Sequence, residues 1–268
     1  MRGSGASSGP PWERWYPAIF QRTSRRVFDG RPIDPADMDR LGHACSDFRP
    51  FAEARAELAV QPTENIFRGI IGGYGRIKGA PAFIAFIGLE ADPRVQEAVG
   101  YTGEGLILEA TALGLQTCWV GGFFRRDAVD ACLRLAAGEK VFAVTPVGHA
   151  PDVLSGAEKL MKGFVKATQR KPLAELIAEG APSAPWMEKA VEAARLAPSA
   201  VNRQPWRFAI QGDSIVVGAD SDKDAGRISK RLDCGIAMLH LELGALSAGV
   251  RGRWEFLSHP QVARFKPA

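Results

Sequence analysis

Two helical stretches with almost no polar face constrain this chain most. Tyr101–Leu113 and Leu232–Ala248 read as helices so apolar that each must be buried nearly all round. Two such helices belong at the centre of a fold, with other layers packed around them. Sliding the sequence on itself by 135 positions brings Gly100 onto Gly235, Leu108 onto Leu243 and Gly114 onto Gly249. At 268 residues the chain has room for one large domain or two small ones and for a substantial core.

The segments around these helices extend the repeat. Trp15–Phe20 reads as a short helix. Asp34 before Pro35 suits an N-cap followed by proline at the first helical position, starting a helix to about Cys45. Ala82–Gly88 is apolar on both faces and reads as a buried strand. Gln116–Val120 reads as a strand ending in Gly121-Gly122, Asp127–Leu135 as a helix and Val141–Val147 as a strand. A helix over 185–197 and strands over 206–211 and 214–219 then lead to the second apolar helix. The expected fold is α+β: a sandwich with a mostly antiparallel sheet flanked by helices, built by internal duplication. Its half-repeats span 15–182 and 183–268, behind a disordered leader over 1–14.

Polar side chains gather at three breaks in this plan. Pro198 ends the helix before it and biases Ala197 away from the α region. Beyond it, Ser199 leads to Asn202 and Gln204, two residues apart; an extended chain would put both amides on one side. Amides offer donors and an acceptor, which suits the mixed polar edge of a heterocycle. A bare helix stop and turn would read the same way. Arg22, Ser24 and Arg26 share the two-residue spacing, so an extended backbone projects all three from one face. Two guanidiniums flanking a hydroxyl suit a terminal phosphate; the alternative is a solvated basic run. Gly121 and Gly122 would let a ligand approach the backbone and take an N–H onto an electron-rich ring nitrogen. The alternative is a turn before the following helix.

Together these runs resemble the nitroreductase family of FMN-dependent NAD(P)H oxidoreductases. The run from Ala197 to Trp206 is similar to that family's flavin-contacting turn, and Arg22, Ser24, Arg26 and Phe28 match its RRSxRxF opening. The run from Gly114 to Phe123 resembles its GLxTCWxGGF segment, and Arg170-Lys171-Pro172-Leu173 its RKPL-like element. The resemblance implies that Gly122, with Gly121 beside it, presents an amide to the flavin N5. It also implies that Arg170 and Lys171 add positive charge at the phosphate and that Pro198, Ser199, Asn202 and Gln204 contact the cofactor. In that family the RTSRR-like and PSxxNxQPW-like segments come from different subunits of a dimer. Here each half carries one: the first has Asp47-Phe48-Arg49-Pro50 where the second has the turn. The chain therefore resembles a single-chain branch in which one polypeptide mimics the dimer.

The implied activity is hydride transfer from NADH or NADPH through flavin N5 to a small aromatic, quinone or nitro acceptor, by a ping-pong mechanism. Alternatives within the same fold are an FMN-binding protein without turnover, or FMN chemistry such as dehalogenation or flavin breakdown. The charge, +4 from 34 basic and 30 acidic residues, is scattered and points to no nucleic-acid partner. No apolar run reaches membrane-spanning length, and the Gly/Ser-rich start lacks the apolar segment of a secretory signal. Cys45, Cys118, Cys132 and Cys234 show no metal spacing and read as free thiols in a cytoplasmic protein. His43, His149, His240 and His259 have no partner at metal or triad spacing and read as structural, so no metal is expected. Gly72–Gly79 is glycine-rich but precedes a strand, whereas a dinucleotide fingerprint must follow one. The chain is expected as a monomeric pseudo-dimer or a homo-oligomer.

Overall fold

A computed structural model describes residues 9–61, 63, 65–67, 77–154, 156, 159, 163, 169–221, 224 and 228–268. The first eight leader residues, most of the run 72–79 and most of the basic stretch 159–171 lie outside the described residues. Helix α1 spans Trp12–Gln21, so helical structure begins inside the segment read as leader. Helix α2 spans Pro35–Asp47, with the Asp34 carboxylate accepting from Ala36 N as the sequence requires. Strand β1 (Ala54–Val60) and strand β2 (Ala82–Leu89) then pair antiparallel, Ala54 opposite Gly88.

Helix α3 (Val95–Ala112) is buried from Glu97 to Ala110. Strand β3 is only Gln116–Thr117, shorter than expected; an antiparallel bridge from Val120 to Val144 carries its direction on. Helix α4 (Arg126–Asp130) also stops early. The N–H groups of Cys132 and Leu133 bond three residues back, to Val129 O and Asp130 O, which tightens the last turn and ends the helix. Strand β4 (Glu139–Gly148) completes a sheet of order β1-β2-β4-β3.

Helix α5 (Leu173–Leu176) and strand β5 (Ile177–Glu179) precede helix α6 (Pro185–Arg195). Strands β6 (Trp206–Gln211) and β7 (Ser214–Ala219) fall where the sequence puts them. Helix α7 (Lys230–Ser247) is followed by β8 (Gly252–Phe256) and β9 (Gln261–Pro267). These strands form a second sheet, β5-β6-β7-β9-β8, antiparallel except for the β5–β6 pair. The architecture is α+β with two mostly antiparallel sheets, where the sequence suggested one.

The two apolar helices pack directly on each other between the sheets. A Cβ placed on Gly100 of α3 would lie 2.0 Å from Leu232 O of α7, and one on Gly235 would lie 2.1 Å from Glu97 O. The contact is reciprocal: 97 and 232, like 100 and 235, stand 135 positions apart. Glycine is required at both points because backbone meets backbone there. The order α2-β1-β2-α3 also matches α6-β6-β7-α7, with β1–β2 and β6–β7 each an antiparallel pair.

Candidate functional site

One cavity of about 370 Å³ collects most of the residues singled out in the sequence. That volume lies within the usual range for small-molecule and cofactor sites. Four stretches of chain, each held by hydrogen bonds to its neighbours, build much of its wall.

The first follows α1. After Gln21 the chain turns extended: Ser24 bridges Thr117 in parallel, Arg25 N donates to Thr117 O at 2.9 Å, and Val27 bridges Lys78. Stapled on both sides, Arg22, Ser24 and Arg26 all line the cavity, as the two-residue spacing predicts, joined by Thr23. Arg25 is buried on the other face, its Nη2 donating to Pro151 O at 2.6 Å. The second stretch follows β3. Cys118 N donates to the Thr145 hydroxyl and Val120 pairs with Val144 through two bonds of 2.9 Å. Trp119, Val120, Gly121 and Phe123 stand in the wall; Gly122 does not.

The third stretch, 197–206, corrects the sequence reading. Its backbone is not extended: Val201, Asn202 and Gln204 have φ of +48°, +57° and +48°. Left-handed backbone at three non-glycine residues costs on the order of 1–3 kcal/mol each and persists only where the surroundings over-determine it. Here they do. The Ser199 hydroxyl accepts from Gln204 N at 2.9 Å, while the Asp233 carboxylate accepts from Ala200 N at 3.2 Å and Arg203 Nε at 2.7 Å. The two amides do converge, but on the fourth stretch. Asn202 Nδ2 donates to Gln169 O at 2.9 Å, and Gln204 Oε1 accepts from Lys171 N at 2.8 Å.

Pro198, Ser199 and Asn202 therefore face the cavity, whereas Gln204 is buried and spent on holding residues 169–171. Arg170 enters the wall; Lys171 does not, its ammonium donating to Gln204 O at 3.3 Å. Helix α7 closes the cavity with Leu232, Asp233 and Ile236, and α1 adds Ile19 and Phe20. None of these five was singled out in the sequence, because their lining role depends on packing between distant helices.

The wall is electropositive inside an apolar frame. Burial, with the nearby Arg22 and Arg195 guanidiniums, lowers the pKa of Arg170 to about 10. Arg22 Nε is buried with no hydrogen-bond partner. Three guanidiniums with the Ser24 hydroxyl in the wall form a donor set for a phosphate, and the apolar remainder suits a flat ring. The cavity thus fits a phosphorylated aromatic cofactor of the kind the sequence implies.

The model of a family described as "Putative TM nitroreductase" matches residues 14–245. The chain belongs to this nitroreductase family. Its fold is similar to that of a putative nitroreductase from Thermotoga maritima, at 18% identity and a TM-score of 0.60, covering 99% of this chain and 96% of that one. A nitroreductase family protein from Clostridium difficile aligns with 60% of this chain and 95% of its own, at 17% identity and a TM-score of 0.45. A nitroreductase with bound FMN from Bacteroides fragilis aligns with 53% and 91%, at 16% identity and a TM-score of 0.42. No curated protein matches the chain.

Among the described residues of this nitroreductase-family chain, no helix is long and apolar enough to cross a membrane. No group of three or more His, Cys, Asp or Glu residues among them could hold a metal ion.

Asp233 adds a pH dependence to the wall. Burial raises its pKa to about 6 despite the Arg203 partner, so the folded state favours its protonated form. The stabilisation from that proton is complete below the unfolded carboxylate value near 4 and disappears as pH rises through about 6. Relative to Asp233→Asn, the parent should gain about 1–3 kcal/mol of stability between pH 7 and pH 4.5. Urea midpoints of both proteins at the two pH values check this, and a constant difference refutes it.

Proposed function

We propose that the chain is an FMN-dependent oxidoreductase that draws on NADH or NADPH to reduce a small aromatic, quinone or nitro acceptor. The observation that carries the reading is the placement of Arg22, Ser24, Arg26 and Arg170 in the wall of one largely apolar cavity. The guanidiniums and the Ser24 hydroxyl hold the phosphate. Pro198, Ser199 and Asn202 bound the ring on the side of the strained turn. The Gly121-Gly122 pair offers backbone N–H where no Cβ intervenes, with Gly121 the member in the wall. FMN, when bound, supplies the electron transfer; the protein supplies position and a preorganised field. We place the enzyme in the cytoplasm.

The two halves are read as fused repeats holding one flavin. The reciprocal glycine contact and the matched element order support this reading. Tyr101 stands 135 positions before Ile236, which lines the cavity. It is buried, 5.0 Å from the Phe51 ring and 6.2 Å from the Phe48 ring by centroids. Those aromatics follow α2 as the strained turn follows α6, so side chains fill the counterpart of the cavity.

Flavin released by heat should therefore be close to one per chain. Without oxygen, its absorbance should bleach within seconds of adding NADH or NADPH and return on adding a quinone or nitroaromatic. Two flavins per chain would refute the single-site reading. Reduction by dithionite but by neither nucleotide would make the chain a flavin-binding protein.

A further inference from the structure

Glu104 lies outside the cavity wall, yet three side chains converge on its carboxylate from three other parts of the chain. It is 0% exposed, on the α3 side of the central helix pair. Oε2 accepts from Trp119 Nε1 at 2.7 Å. Oε1 lies 2.9 Å from His240 Nε2 of α7 and 3.8 Å from Arg22 Nε. Trp119 and Arg22 are both cavity residues, on different stretches of the wall.

The second nitrogen of His240 decides where the protons are. His240 is also 0% exposed, and Nδ1 lies 3.1 Å from Ala193 O. A carbonyl oxygen offers only lone pairs, so Nδ1 carries hydrogen. Nε2 must then meet Oε1 either as an N–H against a carboxylate or as a lone pair against a carboxyl hydrogen. The Trp119 N–H on Oε2 and the guanidinium beside Oε1 both stabilise negative charge on Glu104. One hydrogen lies between Nε2 and Oε1, and these two donors favour the arrangement that places it on Nε2.

We propose that Glu104 is a positioning residue for the site: paired with an imidazolium at His240, it holds Arg22 and Trp119 in place for the anionic end of the ligand. Arg22 needs such a counter-charge, since Arg170 is close enough to repel it. At 3.8 Å Glu104 supplies the charge without taking the Nε hydrogen, which stays unspent. The identity of the anion as an FMN phosphate rests on the reading above; the ion pair does not.

Glu104→Gln separates positioning from scaffolding. Its carbonyl can accept from Trp119 and its amide can donate to a neutral His240 that keeps Nδ1–H on Ala193. Every hydrogen bond survives, and the charge of the group is unchanged because the carboxylate and the imidazolium hydrogen disappear together. What is lost is the negative charge beside Arg22. The side chain should then swing away from Arg170 and leave the wall.

Nitrogen NMR of ¹⁵N-histidine protein at neutral pH, assigned with His240→Gln, should show both ring nitrogens of His240 protonated in the parent and only Nδ1 in Glu104→Gln. FMN should bind Glu104→Gln about tenfold more weakly than the parent, with riboflavin, which has no phosphate, within about twofold. A neutral His240 in the parent would overturn the proposal. So would unchanged FMN binding, or equal losses for both flavins. Should Glu104→Gln not fold, the parent spectrum still decides the ion pair. A parent that binds neither flavin defeats the cofactor reading, and the histidine spectrum again decides the pair.

Discussion

Gly100→Ala is expected to destabilise the folded state by about 3 kcal/mol, the upper end of what overpacking a core usually costs. The new Cβ would sit 2.0 Å from Leu232 O and 3.0 Å from its carbonyl carbon. Both are backbone atoms in the first turn of a buried helix, so neither can rotate away as a side chain could. The central helices must separate, and every layer packed on them must follow. The melting midpoint should fall by roughly 6–12 °C for a chain of this size. Gly235→Ala, with its Cβ 2.1 Å from Glu97 O, should cost a similar amount. Gly114→Ala is the control: its φ is +78° but nothing lies within 4 Å of the added carbon, leaving only backbone strain of about 1 kcal/mol. If all three lose the same stability, the glycines matter for conformation and not for the helix crossing.

The helix crossing was legible because its signal is composition. Apolar helices that are not long and apolar enough to cross a membrane have few places to go but a core, and the 135-residue offset marks the two glycines where backbones touch. Strand β2 was legible for the same reason, buried along Ala82–Gly88. Strand β1 was missed: Ala54–Val60 reads ARAELAV, poor in the β-branched and aromatic residues that mark strands. Its pairing comes from β2, which begins 28 residues after β1 begins and supplies the ladder. The β8–β9 hairpin alternates Arg253, Trp254, Glu255 and Phe256 in a segment too short and charged to stand out. Missing β1 hid the closest match between the halves, since α2-β1-β2-α3 repeats as α6-β6-β7-α7 only once it is in place.

At the site, spacing succeeded where the backbone is regular. Arg22, Ser24 and Arg26 line one cavity because bridges to Thr117 and Lys78 hold that segment extended. Spacing failed at 199–204, where a β-branched valine occupies left-handed backbone, a conformation no residue preference would suggest. The bonds from Asp233, Gln169 and Lys171 that impose it come from 30 or more positions away. Gln204 and Lys171 were singled out for separate cofactor contacts, whereas in the structure they bond to each other. His240 looked featureless because its partner Glu104 lies on the other central helix, 136 positions away.

Arg26→Ala is expected to weaken FMN binding by about 1.5–3 kcal/mol, the worth of a hydrogen bond to a charged group, or roughly 10- to 150-fold in Kd. Riboflavin should bind the parent poorly and barely register the change. The contrast matters because Arg26 lies in an extended segment stapled to Lys78, with Lys78 N donating to Arg26 O at 3.0 Å and Phe28 N to Lys78 O at 3.0 Å. Those are backbone bonds that alanine keeps. The substitution should therefore remove charge and leave the wall standing, which an unchanged melting midpoint without ligand would verify. Fluorescence titration with both flavins reads the outcome. If FMN and riboflavin lose affinity equally, Arg26 shapes the cavity and does not hold the phosphate. If neither changes, the phosphate is held by Arg22 and Arg170 alone, and the extended segment contributes only its first arginine.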